Sequence, residues 1–383
     1  MNILFTIEQY YPIVGGAEEV VRKISERLAK KGHQVTVATS SVPERKSHEL
    51  NGVKIVSFNI YGNKVRGFYG ETKKYKDFLI TSHFDIICNY AAQSWPTDLT
   101  LELLDKLDAK KVLFPCGYSG LVLWSKKIFY WNYFRRLPIY LGKYSHIIYH
   151  SANYIDKVFG DKHNIKHYSI IPNGIDIDEM KTHTIKFREF YNINTKYMLL
   201  NVSNHFKLKG HSFVLKSFNL LNRDDVTLVI IGNKVFGLRG CYSKCKRAAS
   251  NNPRVILLEN TPREHVVSAF HESNVFVFGS KVECFPLVVS EAMSVGLPFI
   301  STNVGNVREL NGGIIVNTPK EMAVCINKVL DDSNCRETLS TFGQNDCLNK
   351  YTWGEIITKY EDLFKKIVTQ GSQSEFFSSN TCL

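Results

Sequence analysis

The sequence predicts an α/β protein of two Rossmann-like, doubly wound parallel-sheet domains, and three observations carry that prediction. Short apolar runs of strand character alternate with stretches of helical period along nearly the whole chain. The alternation breaks once, at the Pro and Asn-Gly turn of Ser169 to Asp178 (SIIPNGIDID), and then resumes. At 383 residues the chain also exceeds what one hydrophobic core comfortably holds.

The elements follow in order. Met1 to Ile7 is apolar and rich in branched and aromatic residues, as a buried strand requires. After Gly15-Gly16 the period becomes helical, with Val20, Val21, Ile24 and Leu28 on one face and Glu18, Arg22, Glu26 and Lys30 mostly opposite. Gly32 stops that helix, and Gln34 to Thr39 is the next strand, which completes a βαβ unit. Val53 to Phe58, Phe84 to Cys88, Lys111 to Phe114 and Ser145 to Tyr149 continue the series. Beyond the junction come Tyr197 to Val202, Val226 to Ile231, Val255 to Leu258, Val275 to Phe278, Pro298 to Ser301 and Ile314 to Val316. Strands alternating with helices imply parallel sheets covered on both faces, with ligand sites at the carboxyl ends of the strands and a cleft between the domains. The expected boundaries are a first domain over 1–166, a second over 167–350, an amphipathic C-terminal helix over 351–370, and a Ser-, Gln- and Thr-rich tail over 371–383 with too little to bury to be ordered.

Composition narrows the function. Apolar residues are 44% and charged residues 22% of the chain, the balance of a folded, water-soluble protein. No apolar stretch approaches the roughly 20 residues that span a bilayer. Nine cysteines show no C-x-x-C pair and no His/Cys cluster at zinc spacing, and no secretory signal precedes the first strand, so reduced thiols and a cytoplasmic setting are expected. The formal charge of +12 favours anionic partners without choosing among them.

The most specific signal is Glu283-Cys284-Phe285-Pro286-Leu287-Val288-Val289-Ser290-Glu291. Two carboxylates eight residues apart, one in the loop after a strand and one in the following helix, can face one crevice and grip hydroxyls. This stretch resembles the E-x7-E signature of retaining GT-B glycosyltransferases, in the version found in glycosyltransferase family 4. Similar matches occur at Gly15-Gly16-Ala17-Glu18, Ile171-Pro172-Asn173-Gly174, Lys209-Gly210-His211, Gly296-Leu297-Pro298, Thr302-Asn303-Val304-Gly305 and Glu309, so the resemblance covers nearly the whole chain.

The resemblance implies a GT-B fold whose last helix crosses back to the first domain. It implies a retaining transfer of a hexose-type sugar from a nucleotide-diphosphate sugar to a glycan or lipid-linked acceptor, with no cofactor and no metal. Catalysis falls to Lys209 and Glu283: a fixed cation near the departing diphosphate stabilises charge that grows in the transition state. Donor binding falls to Gly15, Gly16, Asn204, Lys209, Cys284, Phe285, Pro286, Leu287, Val288 and Glu291. Within that set Glu291 holds the ribose hydroxyls, and the amides near the helix start receive phosphate. Two departures stand out. Relatives pair the lysine with an arginine five residues earlier, where this chain has Asn204, so either Lys207, His205 or another basic group compensates, or the leaving group is handled more weakly. Many also carry a histidine after the strand matching Lys111 to Phe114, where this chain reads Pro115-Cys116-Gly117-Tyr118; nothing in the sequence marks a base that would make Cys116 a nucleophile.

Residues 110–144 contain no acid, and their lysines and arginines fall among Trp124, Phe129, Tyr130, Trp131, Tyr133, Phe134 and Tyr140. That mixture suits an anionic membrane surface and a peripheral location. No nucleic-acid module is present. A nucleotide-sugar epimerase or hydrolase and a non-catalytic binding protein share the predicted fold; an NAD-dependent enzyme does not suit a chain without G-x-G-x-x-G after a strand.

Overall fold

The computed structural model describes residues 1–378 apart from 14, 123, 182 and 236–239, with the side chains of 124–127 and 370–378 also outside the description. The chain divides into two units, one formed by Met1–Asn173 with the segment from Trp353 onward, the other by Gly174–Thr352.

Every strand expected in the first unit is present: β1 (Asn2–Thr6), β2 (Gln34–Ser40), β3 (Glu49–Leu50), β4 (Val53–Phe58), β5 (Ile60–Asn63), β6 (Gly67–Gly70), β7 (Ile86–Tyr90), β8 (Lys110–Phe114), β9 (His146–Tyr149) and β10 (Tyr168–Ile170). Of these, β3, the β5–β6 hairpin and β10 are additions to the sequence reading. The main sheet runs β10-β9-β8-β7-β1-β2-β4-β3, and all its pairings are parallel except β3 on β4. Helix Gly16–Lys30 covers it with Val20, Val21, Ile24 and Leu28, the face that the sequence period assigns inward.

The second unit holds β11 (Tyr197–Val202), β12 (Val226–Ile231), β13 (Val255–Leu258), β14 (Val275–Phe278), β15 (Phe299–Thr302) and β16 (Gly313–Val316) in the order β13-β12-β11-β14-β15-β16, all parallel. Period two splits each strand between two cores. Met198, Leu200, Val229, Ile231, Phe276 and Phe278 enter one, while Leu199, Leu228, Ile230, Val275 and Val277 enter the other.

Two boundaries differ from the sequence reading. The first unit runs on to Asn173 rather than 166, because Tyr168–Ile170 pairs in parallel with β9 and so completes the first sheet. The last helix spans Trp353–Ser378 rather than ending near 370; no proline interrupts it, and a single Gly371 costs only about 1 kcal/mol. Residues 371–378, expected to be disordered, are thus helical, and 379–383 lie outside the described residues.

That helix belongs to the first unit through both packing and charge. Tyr360, fully buried, places its ring 5.8 Å from that of Phe114 at the end of β8. Glu361 pairs with Lys31 at 2.7 Å, and hydrogen bonds from Lys31 and Lys365 pull its carboxyl down to about 2. The Tyr360 hydroxyl is buried without a hydrogen-bond partner. Tyr360→Ala is therefore expected to cost about 3–5 kcal/mol in urea melts, whereas Tyr360→Phe, which removes only an unpaired hydroxyl, leaves stability unchanged or raises it.

Candidate active site

In a doubly wound sheet the ligand crevice forms where the strand order reverses, outside the carboxyl ends of the two strands that flank the reversal. In the second unit those strands are β11 and β14, paired through Leu199 with Val275 and Leu200 with Phe276. The loop after β11 carries Lys209, and the loop after β14 carries Glu283. Their side chains meet, Lys209 Nζ lying 2.7 Å from Glu283 Oε1. Ser280 Oγ donates to the same oxygen at 2.8 Å.

Backbone contact fixes this meeting. Gly210, at φ +69°, approaches the Gly279 carbonyl so closely that a β-carbon there would lie 1.7 Å from the oxygen. The Lys281 amide donates to the Leu208 carbonyl at 2.8 Å, and that carbonyl lies 3.1 Å from Ser280 Oγ, where it competes with Glu283 for the one hydroxyl proton. A second clamp closes from the other side, where Gly305 at φ +57° lies against the carbonyls of Glu283 and Cys284.

From Glu283 the chain passes through half-buried Cys284, buried Phe285 and Pro286 into helix Leu287–Ser294. Pro286 occupies the N-cap, so the amides of Leu287 and Val288 begin the helix without an intrahelical acceptor, as the first N–H groups of any helix do. Glu291 lies one turn further on. It pairs with Arg263 at 2.6 Å, and Arg263 also reaches both carboxylate oxygens of Glu179 at 3.2 Å. Burial lowers the Arg263 basicity, but the Glu291 carboxylate beside it outweighs that and raises it. The other Glu291 oxygen, Oε2, is buried with no hydrogen-bond partner.

Asn204 takes a structural part instead of a cationic one. Its Oδ1 accepts from the Asn233 amide at 3.0 Å, and Asn233 Oδ1 accepts from the Asn260 amide at 2.8 Å. The three asparagines sit two residues beyond the ends of adjacent strands β11, β12 and β13 and tie their loops together. His205 cannot replace the absent arginine at a phosphate, because its ring is fully buried. Lys207 remains exposed.

The first unit reverses its strand order between β1 and β7. Gly15 and Gly16 lie beyond β1 at the start of helix Gly16–Lys30. No protein atom lies within 4 Å of a β-carbon placed on Gly16, and Gly15 is in ordinary extended backbone. A β-carbon on Gly15 would meet only the Glu18 carboxylate, at 2.3 Å, the movable end of a side chain. Beyond β7 and β8, Ala91, Gln93 and Cys116 all have positive φ. Such strain gathers at functional loops, and here Asp156 holds the turn by accepting from the Gly117 amide at 3.0 Å.

A histidine does stand by Cys116, supplied by the next strand. His150 Nδ1 donates to the Ile171 carbonyl at 3.0 Å, which leaves Nε2 to accept from Tyr90 at 3.1 Å, with Cys116 Sγ 3.7 Å away. The sequence alone does not mark this histidine as a neighbour of Cys116. Burial nevertheless pushes the thiol up to about 12 and the imidazole down to about 4, so proton transfer between them is unfavourable and the cysteine is inert.

Comparison with known proteins shows the family. Residues 14–179 match the model for Glycosyltransferase Family 4, and residues 184–346 match that for Glycosyl transferases group 1. The chain belongs to glycosyltransferase family 4. The transferase is 27% identical over 208 residues to the capsular polysaccharide biosynthesis glycosyltransferase CapM of Staphylococcus aureus, a match spanning about half of each protein (51% and 54%). Its fold matches sucrose-phosphate synthase of Thermosynechococcus elongatus with a TM-score of 0.82 at 16% identity, over 96% of this chain and 99% of that one. Anabaena HepE in complex with UDP-glucose matches at 0.76 and 16% identity, over 96% and 100%.

Within the transferase, Lys209 and Glu283 come together as the sequence suggests, and Glu291 faces Arg263 and Glu179, which the sequence reading did not single out. A conserved-looking spacing could not reveal them, since both partners are distant in the chain; the only local hint is Arg263 at the first position of its helix. The structure also corrects the expectation of no His/Cys cluster at zinc spacing. His205, His211, Cys241 and Cys245 converge with ligand atoms within 4.8 Å of one another. An H-x5-H pair and a C-x3-C pair thirty residues further on form the group, and the fold brings the two together.

Asp156 provides a test of the strained loop in the transferase. Burial raises its carboxyl from 3.8 to about 6, against the opposing pull of the Gly117 and Lys157 amides. The folded state thus holds this proton more tightly than the unfolded chain. Its stabilising contribution is complete below about pH 4 and is lost as pH rises through about 6. Relative to Asp156→Asn, which cannot ionise, the wild type should lose about 3 kcal/mol between pH 4 and 7 in urea melts. A pH-independent difference between the two proteins contradicts this assignment.

Proposed function

We propose that the protein is a retaining hexosyltransferase that moves sugar from a nucleotide-diphosphate sugar to a glycan or lipid-linked acceptor without a metal at the reacting centre. The Lys209–Glu283 pair at the β11/β14 reversal carries this reading. HepE, similar in fold, binds UDP-glucose, which supports a donor of that class.

In the proposed reaction the diphosphate displaces Glu283 from Lys209, and the ammonium balances the negative charge that grows as the bond from the anomeric carbon to the phosphate oxygen breaks. The acceptor hydroxyl forms its new bond on the same face, and its proton passes to the departing diphosphate. Glu283, released from the lysine, lies beside the sugar ring, and the amides of Leu287 and Val288 donate to phosphate. The unpartnered Glu291 Oε2 accepts from a ribose hydroxyl while Arg263 holds the other oxygen in place. Positioning and charge thus do the work, which a dedicated base does not have to share.

The acceptor side of the proposal rests on helix Trp124–Leu141. Tyr130, Tyr133, Phe134, Leu137 and Leu141 are buried, whereas Ile128, Phe129, Trp131 and Ile139 are 62–81% exposed beside Arg135 and Arg136. Arg135 lies over the Trp131 ring at 5.1 Å. Large apolar groups beside arginines suit an anionic lipid surface, each arginine adding about 1 kcal/mol there. A cavity of about 420 Å³ lined by Lys64, Phe129, Asn132, Arg136 and Tyr140 opens at the same helix and could receive a lipid-linked headgroup.

Lys209→Ala is expected to lower kcat by about 10²–10³ while nucleotide binding measured by calorimetry changes little, and Glu291→Ala should chiefly weaken that binding. Wild-type activity in both variants removes the site assignment. Separately, sedimentation with vesicles containing anionic lipid should fall on added salt and on Phe129→Ser with Trp131→Ser; binding indifferent to lipid charge rejects the membrane reading.

A further inference from the structure

The His/Cys cluster has no part in the proposed transfer, yet it stands at both ends of the loop that carries Lys209. His205 follows β11 by three residues, and His211 opens helix His211–Asn219. Cys241 caps helix Tyr242–Ser250, and Cys245 lies one turn inside it. All four are buried, with relative exposures of 0, 1, 7 and 1%. We propose that these four side chains bind one structural zinc ion.

The donor set is that of a structural site: two imidazoles and two thiolates, which zinc takes in a closed tetrahedron. The spacings, H-x5-H and C-x3-C, fall within the range such sites use. Bond lengths of about 2.1 Å to nitrogen and 2.3 Å to sulfur put tetrahedral ligand atoms about 3.4–3.8 Å apart. Here they lie within 4.8 Å of one another, and Cys241 Sγ is 3.3 Å from His211 Nδ1, so small side-chain movements close the site.

Two further observations point to a cation. His211 Nε2 lies 3.1 Å from the Ser203 hydroxyl and 3.2 Å from the Ser203 carbonyl; the hydroxyl donates its proton to Asn201 Oδ1 at 3.2 Å, so both oxygens accept, Nε2 carries the proton and Nδ1 presents its lone pair toward the cysteines. That is the outer hydrogen bond by which a protein orients a metal-ligating histidine. His205, stacked on His211 at 4.6 Å, has both ring nitrogens buried without a hydrogen-bond partner. Leaving a buried donor or acceptor unpaired costs about 1–3 kcal/mol, and a bound ion relieves one of them.

Charge is balanced as well. Zinc releases one proton from each thiol, and the divalent ion with two thiolates forms a neutral centre that can be buried. The backbone already joins the two halves, the Cys241 amide donating to the His205 carbonyl at 3.0 Å. Zinc would add a crosslink between the Lys209 loop and the helix after β12, fixing the cation's loop from both ends. Its role is structural, because all four positions are filled by protein and none is open to a substrate.

The test uses untagged full-length protein purified under reducing conditions from zinc-supplemented medium. Metal analysis is expected to give about one zinc per chain, and Cys241→Ser with Cys245→Ser should bring it below about a tenth. Should that variant fail to fold, cobalt exchanged into the wild type gives an independent readout, the visible bands of a tetrahedral ion together with thiolate charge transfer. Wild-type protein that holds less than about a tenth of an equivalent of zinc and shows no tetrahedral cobalt spectrum overturns the proposal. A Cys241–Cys245 disulfide formed in place of metal, seen as two thiols lost from a titration, overturns it equally.

Discussion

The second unit depends on one steric constraint, the seating of Gly210 against the Gly279 carbonyl. A β-carbon at 210 would sit 1.7 Å from that oxygen, and the backbone there is left-handed, so no other residue fits without moving one loop off the other. The two loops follow β11 and β14, the parallel strands between which the strand order reverses. Their contact sets where Lys209 ends, and with it the meeting of Lys209 and Glu283. Position in the sheet makes the crevice; the glycine makes it narrow enough for an ammonium and a carboxylate to touch.

That ion pair is suited to exchange rather than to stability. Lys209 keeps a third of its side chain exposed, against 12% for Glu283, and partly exposed pairs of this kind contribute about 0–1 kcal/mol. In the proposed reaction a diphosphate with two negative charges therefore takes the lysine from Glu283 at small cost. Glu283 does not then become a buried orphan, since Ser280 still donates to it. The Arg263–Glu291 pair is of another kind: Arg263 bridges two carboxylates and holds Glu291 in one orientation, while Oε2 stays available.

The sequence made the strands legible because buried parallel strands are short continuous apolar runs, and all twelve expected runs are strands in the structure. It did not reveal β5 and β6, whose Ile60–Asn63 and Gly67–Gly70 are glycine-punctuated and only partly buried, so no apolar run marks them. The three-residue β10 looked like linker because Pro172 and Asn173 follow so closely. Among site residues, Lys209 and Glu283 were legible from local motifs. Arg263, Glu179 and His150 were not, because each acquires its meaning from a neighbour brought in by the sheet order, and the same order joins the H-x5-H pair to the C-x3-C pair. Residue type and local spacing carry no record of that order.

Asn204 shows what such an arrangement changes. An arginine there would add charge beside Lys209, whereas asparagine joins the chain of amides that runs through Asn233 to Asn260 across three strand ends. His205, the next residue, is buried beneath the same loop and stacked on His211. The segment between β11 and its helix is thus held by neutral contacts on both sides of Lys209. In the proposed reaction, with Asn204 and His205 committed to rigidity, exactness of placement at Lys209 takes over part of what a second cation there would supply. Electrostatic stabilisation gains most from donors that need not reorganise as charge develops, so a loop fixed by Gly210, the asparagine chain and the buried histidines is a physically coherent substitute for the absent charge.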